Sequence, residues 1–303
     1  MENFNVLGIL ESFNKSDGKL NLQVLTKDSR VNLKIAKEEE LKLEKSRLYS
    51  FDVSEEKNED RVVKNVIAYS CVKDIESTVV KDKLFRDYYG SDAIPYLELK
   101  EGIYSYVDRI SCLNIKNLVT AILEDFEDKY FTYPAASKFH HAYEGGLAYH
   151  TLGILNLADT FLNNYKYLDK NYIYAGAILH DVAKTLEFSG VEETKYTVSG
   201  SLLGHLVMGN DIVYEYALRA GIEKTEEILI LRHMIISHHG IPNYGAARKP
   251  QTGEALLLWY LDTLDSKFRA LGDHLENVEE GEFTENLAIL DRQRFYNPHK
   301  TKI

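Results

Sequence analysis

Histidine and aspartate recur through the second half of the chain where they could share a metal ion. They are His150, His180 with Asp181, His205, His238 with His239, and Asp262, followed by Asp265. His180-Asp181 closes the apolar run YIYAGAILHDVAK, where an ionisable pair needs compensation. Standing alone, such a dipeptide reads as a hydrogen-bonded core pair. Here the other residues lie on further apolar-striped segments, whose stripes must face a common core and so aim these side chains at a common centre. Imidazole and carboxylate together suit Mn, Fe, Co, Ni or Zn better than Ca. Seven such ligands exceed the demand of one tetrahedral zinc. They suit two divalent ions, one held by His150, His180, Asp181 and Asp262, the other by Asp181, His205, His238 and His239. Asp262 and Asp265 share one helical face, so spacing alone does not choose between them. Paired ions about 3.5–4 Å apart activate water and stabilise an in-line displacement at phosphorus, so the expected chemistry is hydrolysis of phosphate esters. Asp181, the shared carboxylate, and Lys184, one turn beyond His180, are the expected catalytic residues. The Lys184 ammonium can offset charge on phosphate oxygens, or serve as a solvated cation near a helix end.

The elements that must carry these residues are helical. From about residue 99 the hydrophobic period is that of a helix, with Leu118, Ile122 and Phe126 on one stripe. Thr132-Tyr133-Pro134 breaks that helix. Further helices are expected over roughly 145–164, 170–186, 202–220, 225–239 and 252–271, with Gly240 stopping the fourth after His239. Before residue 75 the period is two instead. Leu20, Leu22 and Val24 alternate with polar neighbours, as do Val31, Leu33 and Ile35, then Tyr49, Phe51 and Val53; Val62 to Ile67 is a further strand. Ser16-Asp17-Gly18 supplies a hairpin turn. EEELKLEK, over 38–45, suits a short helix between the third and fourth strands. Five strands with a helix after the third is the order of an OB-type barrel. The chain is therefore expected to be multidomain. Residues 1–74 form a small OB-like β-barrel able to serve as a nucleic-acid-binding module, 75–98 a linker with a helical piece, and 99–303 an all-α domain.

The ordered series H…HD…H…HH…D, with HDVAK at its centre, resembles the HD-domain metal-dependent phosphohydrolases. The stretch FTYPAASKFHHAYEGGLAYHTLGIL, the run HMIISHHG and LDTLDSK are similar to the YhaM-type 3'-to-5' exoribonucleases, which join an OB domain to an HD domain. That resemblance covers residues ~110–270 by motif and the first domain by architecture alone. It implies a manganese-favouring enzyme that removes 5'-mononucleotides from the 3' end of single-stranded RNA or DNA. It carries the ligand roles onto His150, His180, Asp181, His205, His238, His239 and Asp262, and prefers Asp262 over Asp265, which becomes a supporting residue. The sequence departs from the family pattern at GIPNYGAARKPQTGEA, after the paired histidines, and at Trp259, where a histidine is expected. These positions lie outside the ligand set and bear on substrate contacts.

Four more residues are candidates for holding substrate. His140 and His141 precede the first ligand, and Arg248 and Lys249, after the histidine pair, can clamp a phosphate backbone. His233 is off the face of His238 and reads as structural. Tyr49 and Phe51 can stack bases, but their alternation with Ser50 and Asp52 fits core packing better. The 303 residues carry a net charge of −11. About −1 of this falls on residues 1–74, so no strongly basic nucleic-acid footprint exists. Bound metal supplies local positive charge that such a count misses. No long apolar run or basic leader is present, which points to a cytoplasmic protein without a membrane partner. Cys71 and Cys112 have no CxxC spacing, so neither a zinc ribbon nor a disulfide framework is expected. Apolar helix faces left outside would suit a homo-oligomer. Two further readings remain open: an HD phosphohydrolase acting on free or cyclic nucleotides, and a non-catalytic nucleic-acid-binding protein.

Overall fold

The computed structural model describes residues 2–16, 18–35, 43–45, 47–58, 61–89, 94–135, 145–190 and 194–301. The chain divides after Pro95 into two compact units.

The first unit is a closed barrel of β1 (Glu2–Ser16), β2 (Lys19–Leu25), β3 (Arg30–Ile35), β4 (Leu48–Asn58) and β5 (Arg61–Cys71), in the order β1-β2-β3-β5-β4. β3 and β5 pair in parallel and every other pair is antiparallel, which makes the barrel OB-like. Closure depends on one long strand. The first half of β1 pairs with β4 and the second half with β2, with an irregularity between Leu10 and Ser12. Gly8 sits at the crossover, where a Cβ would collide with Val24 and the Leu25 carbonyl. The period-two residues face inward as expected: Leu22, Val24, Leu33, Ile35, Tyr49, Phe51 and Val53 are buried together. Tyr49 and Phe51 stack with ring centroids 5.5 Å apart, so they are core residues rather than a platform for bases. Their outward neighbours Ser12, Asn14, Asn21, Gln23, Asn32 and Lys34 form two polar rows across β1, β2 and β3. Ser16 pairs with Lys19 around the expected turn, where Gly18 has φ +70° and Asp17 lies outside the described residues. Most of the expected 38–45 helix lies outside them too; residues 43–45 are not helical. The expected linker contains α1 (Thr78–Tyr89), which belongs to the first unit and whose Tyr88 hydroxyl donates to the Leu25 carbonyl at 3.0 Å.

The second unit is helical: α2 (Tyr96–Asp108), α3 (Leu113–Tyr130), α4 (Gly146–Asn164), α5 (Lys170–Leu179), α6 (Lys184–Glu187), α7 (Val198–Ala220), α8 (Glu226–Ser237) and α9 (Gly253–Leu275). α5 runs through its middle and is buried on every side from Ile173 to Leu179. α3, α4, α8 and α9 pack around it. One sequence expectation needs correction. The helix expected over 170–186 ends at Leu179, and residues 180–183 form a tight turn before α6. Val182 N–H donates to Leu179 O and Lys184 N–H to Asp181 O, both three residues back. From this turn both side chains reach one centre, with His180 Nε2 3.3 Å from Asp181 Oδ2. No helix among the described residues is long and apolar enough to cross a membrane.

Candidate metal centre

Each histidine of the cluster sits where a helix ends, bends or approaches another closely. His180 caps the C-terminus of α5 and His238 that of α8. Helix ends leave last-turn carbonyls without an intrahelical donor. Here the imidazoles supply one: His180 Nδ1 donates to Ala177 O at 2.8 Å and His238 Nδ1 to Ile235 O at 2.7 Å. With the proton fixed on Nδ1, each ring presents its Nε2 lone pair to the interior. His150, on α4, uses a carboxylate instead, donating from Nδ1 to Asp265 Oδ2 at 2.7 Å. Asp265 is held in turn by Arg269 Nε at 2.9 Å. α4 and α9 approach this closely because Gly153 has no side chain; a Cβ there would collide with Asp265 and Arg269. His239 follows His238, and Gly240 (φ +77°) then turns the chain beneath Trp259, whose indole occupies the space of a Cβ.

The inward-facing ring nitrogens and the Asp262 carboxylate converge in two groups, His150–His180–Asp262 and His205–His238–His239. Asp181 lies between them. Its Oδ2 is 3.3 Å from His180 Nε2 and 4.0 Å from His150 Nε2; its Oδ1 is 3.4 Å from His205 Nε2 and 3.7 Å from His238 Nε2. The seven residues expected as ligands are thus brought together around Asp181. Asp262 Oδ1 is 3.1 Å from His150 Nε2, on the inner side of that ring, while Asp265 binds its outer nitrogen. That difference separates the two carboxylates: Asp262 faces the cluster and Asp265 supports it.

The chemistry of this donor set fits divalent cations. His180 Nε2, Asp181 Oδ1 and His238 Nε2 are fully buried and find no hydrogen-bond partner among the described residues. Buried acceptors left this way are costly, and a cation satisfies all three together. His205 Nε2 and His239 Nε2 lie 3.3 Å apart, close enough to hydrogen-bond or to share a cation.

Electrostatics keep the carboxylates ionised and His238 neutral, whereas His150, between two carboxylates, holds its proton until a cation takes that place. Burial works against the charge on Asp181, and Lys184, His180 and His205 outweigh it, holding the carboxyl well below the usual range. Burial likewise opposes ionisation of Asp262, but the His150 hydrogen bond and charge bring it below its ordinary value. Burial, then the neighbouring His180 and His239, press His238 well below an ordinary imidazole. At His150 burial is overcome by Asp262 and Asp265, and its pKa rises to about 9. Lys184 Nζ is 2.7 Å from Asp181 Oδ2; burial opposes its charge, Asp181 outweighs burial, and the ammonium persists. Asp262, Lys184 and His205 retain 18%, 17% and 11% side-chain exposure, against 3% or less for His150, His180, Asp181 and His238. Solvent therefore reaches the centre along the first three.

The other expected site residues are less tied to it. Arg248 and Lys249 are exposed on the segment between the 3-10 turn Pro242–Tyr244 and α9. His140 and His141 lie outside the described residues. His233 Nε2 accepts from Gln251 N–H at 2.9 Å, which fits a structural role. One residue was missed: Glu187, whose carboxylate binds His205 Nδ1 at 3.0 Å. Its signal in the sequence is a lone acid in the apolar surroundings of VAKTLEF.

Helices, cluster and ligand order define the HD class, and residues 147–267 match the HD domain family. The comparison narrows further. The chain is 39% identical over 212 residues to the 3'-5' exoribonuclease YhaM of Bacillus licheniformis, covering 70% of this chain and 67% of that one. It is 39% identical to the Bacillus subtilis protein of the same name over the same shares, and 40% identical over 201 residues to that of a Geobacillus species, covering 66% and 62%. The chain belongs to the YhaM-type family of HD-domain proteins.

Proposed function

We propose that this protein is a metal-dependent 3'-to-5' exonuclease that hydrolyses the terminal phosphodiester of single-stranded RNA or DNA and releases 5'-mononucleotides. One observation carries the reading beyond family membership: two groups of buried, inward-facing nitrogens and oxygens share Asp181, the arrangement that two-ion phosphodiester hydrolysis requires. His150, His180, Asp181 and Asp262 would hold one ion, and Asp181, His205, His238 and His239 the other. The resemblance to the YhaM-type enzymes favours manganese, and this mixture of imidazole and carboxylate also suits Fe, Co, Ni or Zn. Such ions, when bound, supply Lewis acidity to the phosphate and to the attacking water.

The remaining steps belong to the chain's own groups. Lys184 keeps its ammonium beside Asp181, so it can draw in a non-bridging phosphate oxygen and offset charge as the bond breaks. Asp181 stays ionised and fixes that ammonium. Arg248 and Lys249, exposed after the histidine pair, would hold the phosphates of the next nucleotides. The barrel would guide the strand through the amides of its outer rows, which can bond base edges and sugars without stacking. Leu256, Tyr260, Leu264 and Phe268 form an exposed apolar ridge along α9, which suits a homo-oligomer. A protein with this role would act in the cytoplasm.

The test uses purified protein with Mn²⁺, 5'-labelled single-stranded RNA, duplex RNA and a panel of nucleotides. Stepwise shortening of the single strand, abolished by Asp181→Ala, is expected. Hydrolysis confined to free or cyclic nucleotides would replace the exonuclease with a nucleotide phosphohydrolase. Binding without turnover, unchanged by Asp181→Ala, would make the protein a non-catalytic binder.

A further inference from the structure

Glu187 ends α6 and is 5% exposed, yet no ligand role uses it. Its carboxylate is spent on one residue. Oε1 accepts from the His205 backbone N–H at 3.0 Å, and His205 Nδ1 lies 3.1 Å from Oε1 and 3.0 Å from Oε2. The surrounding chain is built around this contact. Thr197 N–H donates to Glu187 O at 2.9 Å and Thr197 Oγ1 to Leu186 O at 2.9 Å. A Cβ on Gly200 would collide with the Glu187 backbone, so the first turn of α7 rests directly on α6. Gly204 (φ 72°, ψ 158°) then interrupts α7. That break turns the His205 N–H out of the helical ladder and towards Glu187, in a conformation that favours glycine.

We propose that Glu187 is a positioning residue for the ion assigned to His205, His238 and His239. By accepting both N–H groups it fixes the ring orientation, commits the imidazole proton to Nδ1 and strengthens Nε2 as a donor. Nε2 thereby faces Asp181 Oδ1 and His239 Nε2. Asp265 does the same for His150 in the other group. Each ligand set thus contains one carboxylate-anchored imidazole and one anchored on a helix-end carbonyl. The inference rests on the two-ion reading above.

Metal-stripped full-length protein titrated with MnCl₂ by calorimetry, with Mn²⁺ electron paramagnetic resonance in parallel, tests it. Wild type is expected to bind two ions. Glu187→Ala should weaken one by about 10–100-fold and leave the other unchanged. Glu187→Gln keeps the volume and an acceptor but loses the charge, and should weaken the same ion less. Asp265→Ala should weaken the other ion, giving the reciprocal pattern. If wild type binds two ions and both Glu187 variants bind both at wild-type affinity, Glu187 is merely structural and the inference is overturned. Should the alanine variant not fold, the glutamine variant decides by the same criterion. A wild-type protein that binds only one ion overturns the two-ion reading and, with it, this inference.

Discussion

At the scale of single residues, the centre is defined by which nitrogen of each ring is already engaged. His150, His180, His205 and His238 all commit Nδ1 to a carboxylate or carbonyl, so Nε2 faces inward in every case. Lys184 differs, because its partner is itself a proposed ligand. Removing the ammonium should leave the imidazoles in place while removing a charge from the phosphate's side of Asp181. Lys184→Ala is therefore expected to lower kcat on single-stranded RNA by about 100-fold, with two Mn²⁺ still bound by calorimetry. A fall in metal stoichiometry instead would mean that Lys184 supports the site rather than the reaction. The residues that gather at the centre were legible in the sequence because a proposed metal demands histidine and aspartate in quantity. Glu187 was not, since one acid in VAKTLEF gives no sign of the histidine eighteen positions later that it binds.

At the scale of elements, glycines decide how closely the helices carrying the ligands approach. Gly153 faces Asp265 and Arg269 across the α4–α9 contact. Alanine there gains about 1 kcal/mol of helix propensity, but overpacking a tight contact costs about 1–3 kcal/mol. Asp265 cannot swing aside cheaply, because His150 and Arg269 both hold it. Overpacking should win: Gly153→Ala is expected to lose about 1–2 kcal/mol in urea unfolding. Unchanged or increased stability would show that α9 shifts freely. Helix periods predicted α4, α8 and α9 to within a few residues, because their apolar stripes persist to their ends. The end of α5 was not legible. YIYAGAILHDVAK keeps its apolar character through the turn, and neither glycine nor proline marks residues 180–183. The break in α7 was hidden too, since Gly204 within SLLGHLVMG resembles an ordinary helical glycine.

At the scale of the molecule, two units of different character share one chain. The barrel was legible because period-two alternation survives in β2, β3 and β4, and the core confirms it. The bend of β1 between two partners was not, because a change of partner along one strand leaves no mark in its alternation. The outer rows give the barrel's proposed role a direct check in the full chain. Lys34 lies beside Asn21, and Gln23 beside Asn32. Replacing Asn21 and Lys34 with glutamate removes an amide and a cation and puts negative charge on the face that a guided polyanion would follow. The double variant should raise KM for a 20-nucleotide RNA about tenfold and leave a dinucleotide unaffected. Equal effects on both would remove the barrel from substrate guidance.

The pinned imidazoles have a consequence for how such a protein would meet its metal. Where ligands are loose until an ion gathers them, ion and fold stand or fall together. Here the rings are oriented by carbonyls and carboxylates of the chain itself. On the two-ion reading, so preorganised a scaffold would let ions come and go without being dismantled. Its output would then follow the concentration of exchangeable metal around it, as an instrument follows its supply.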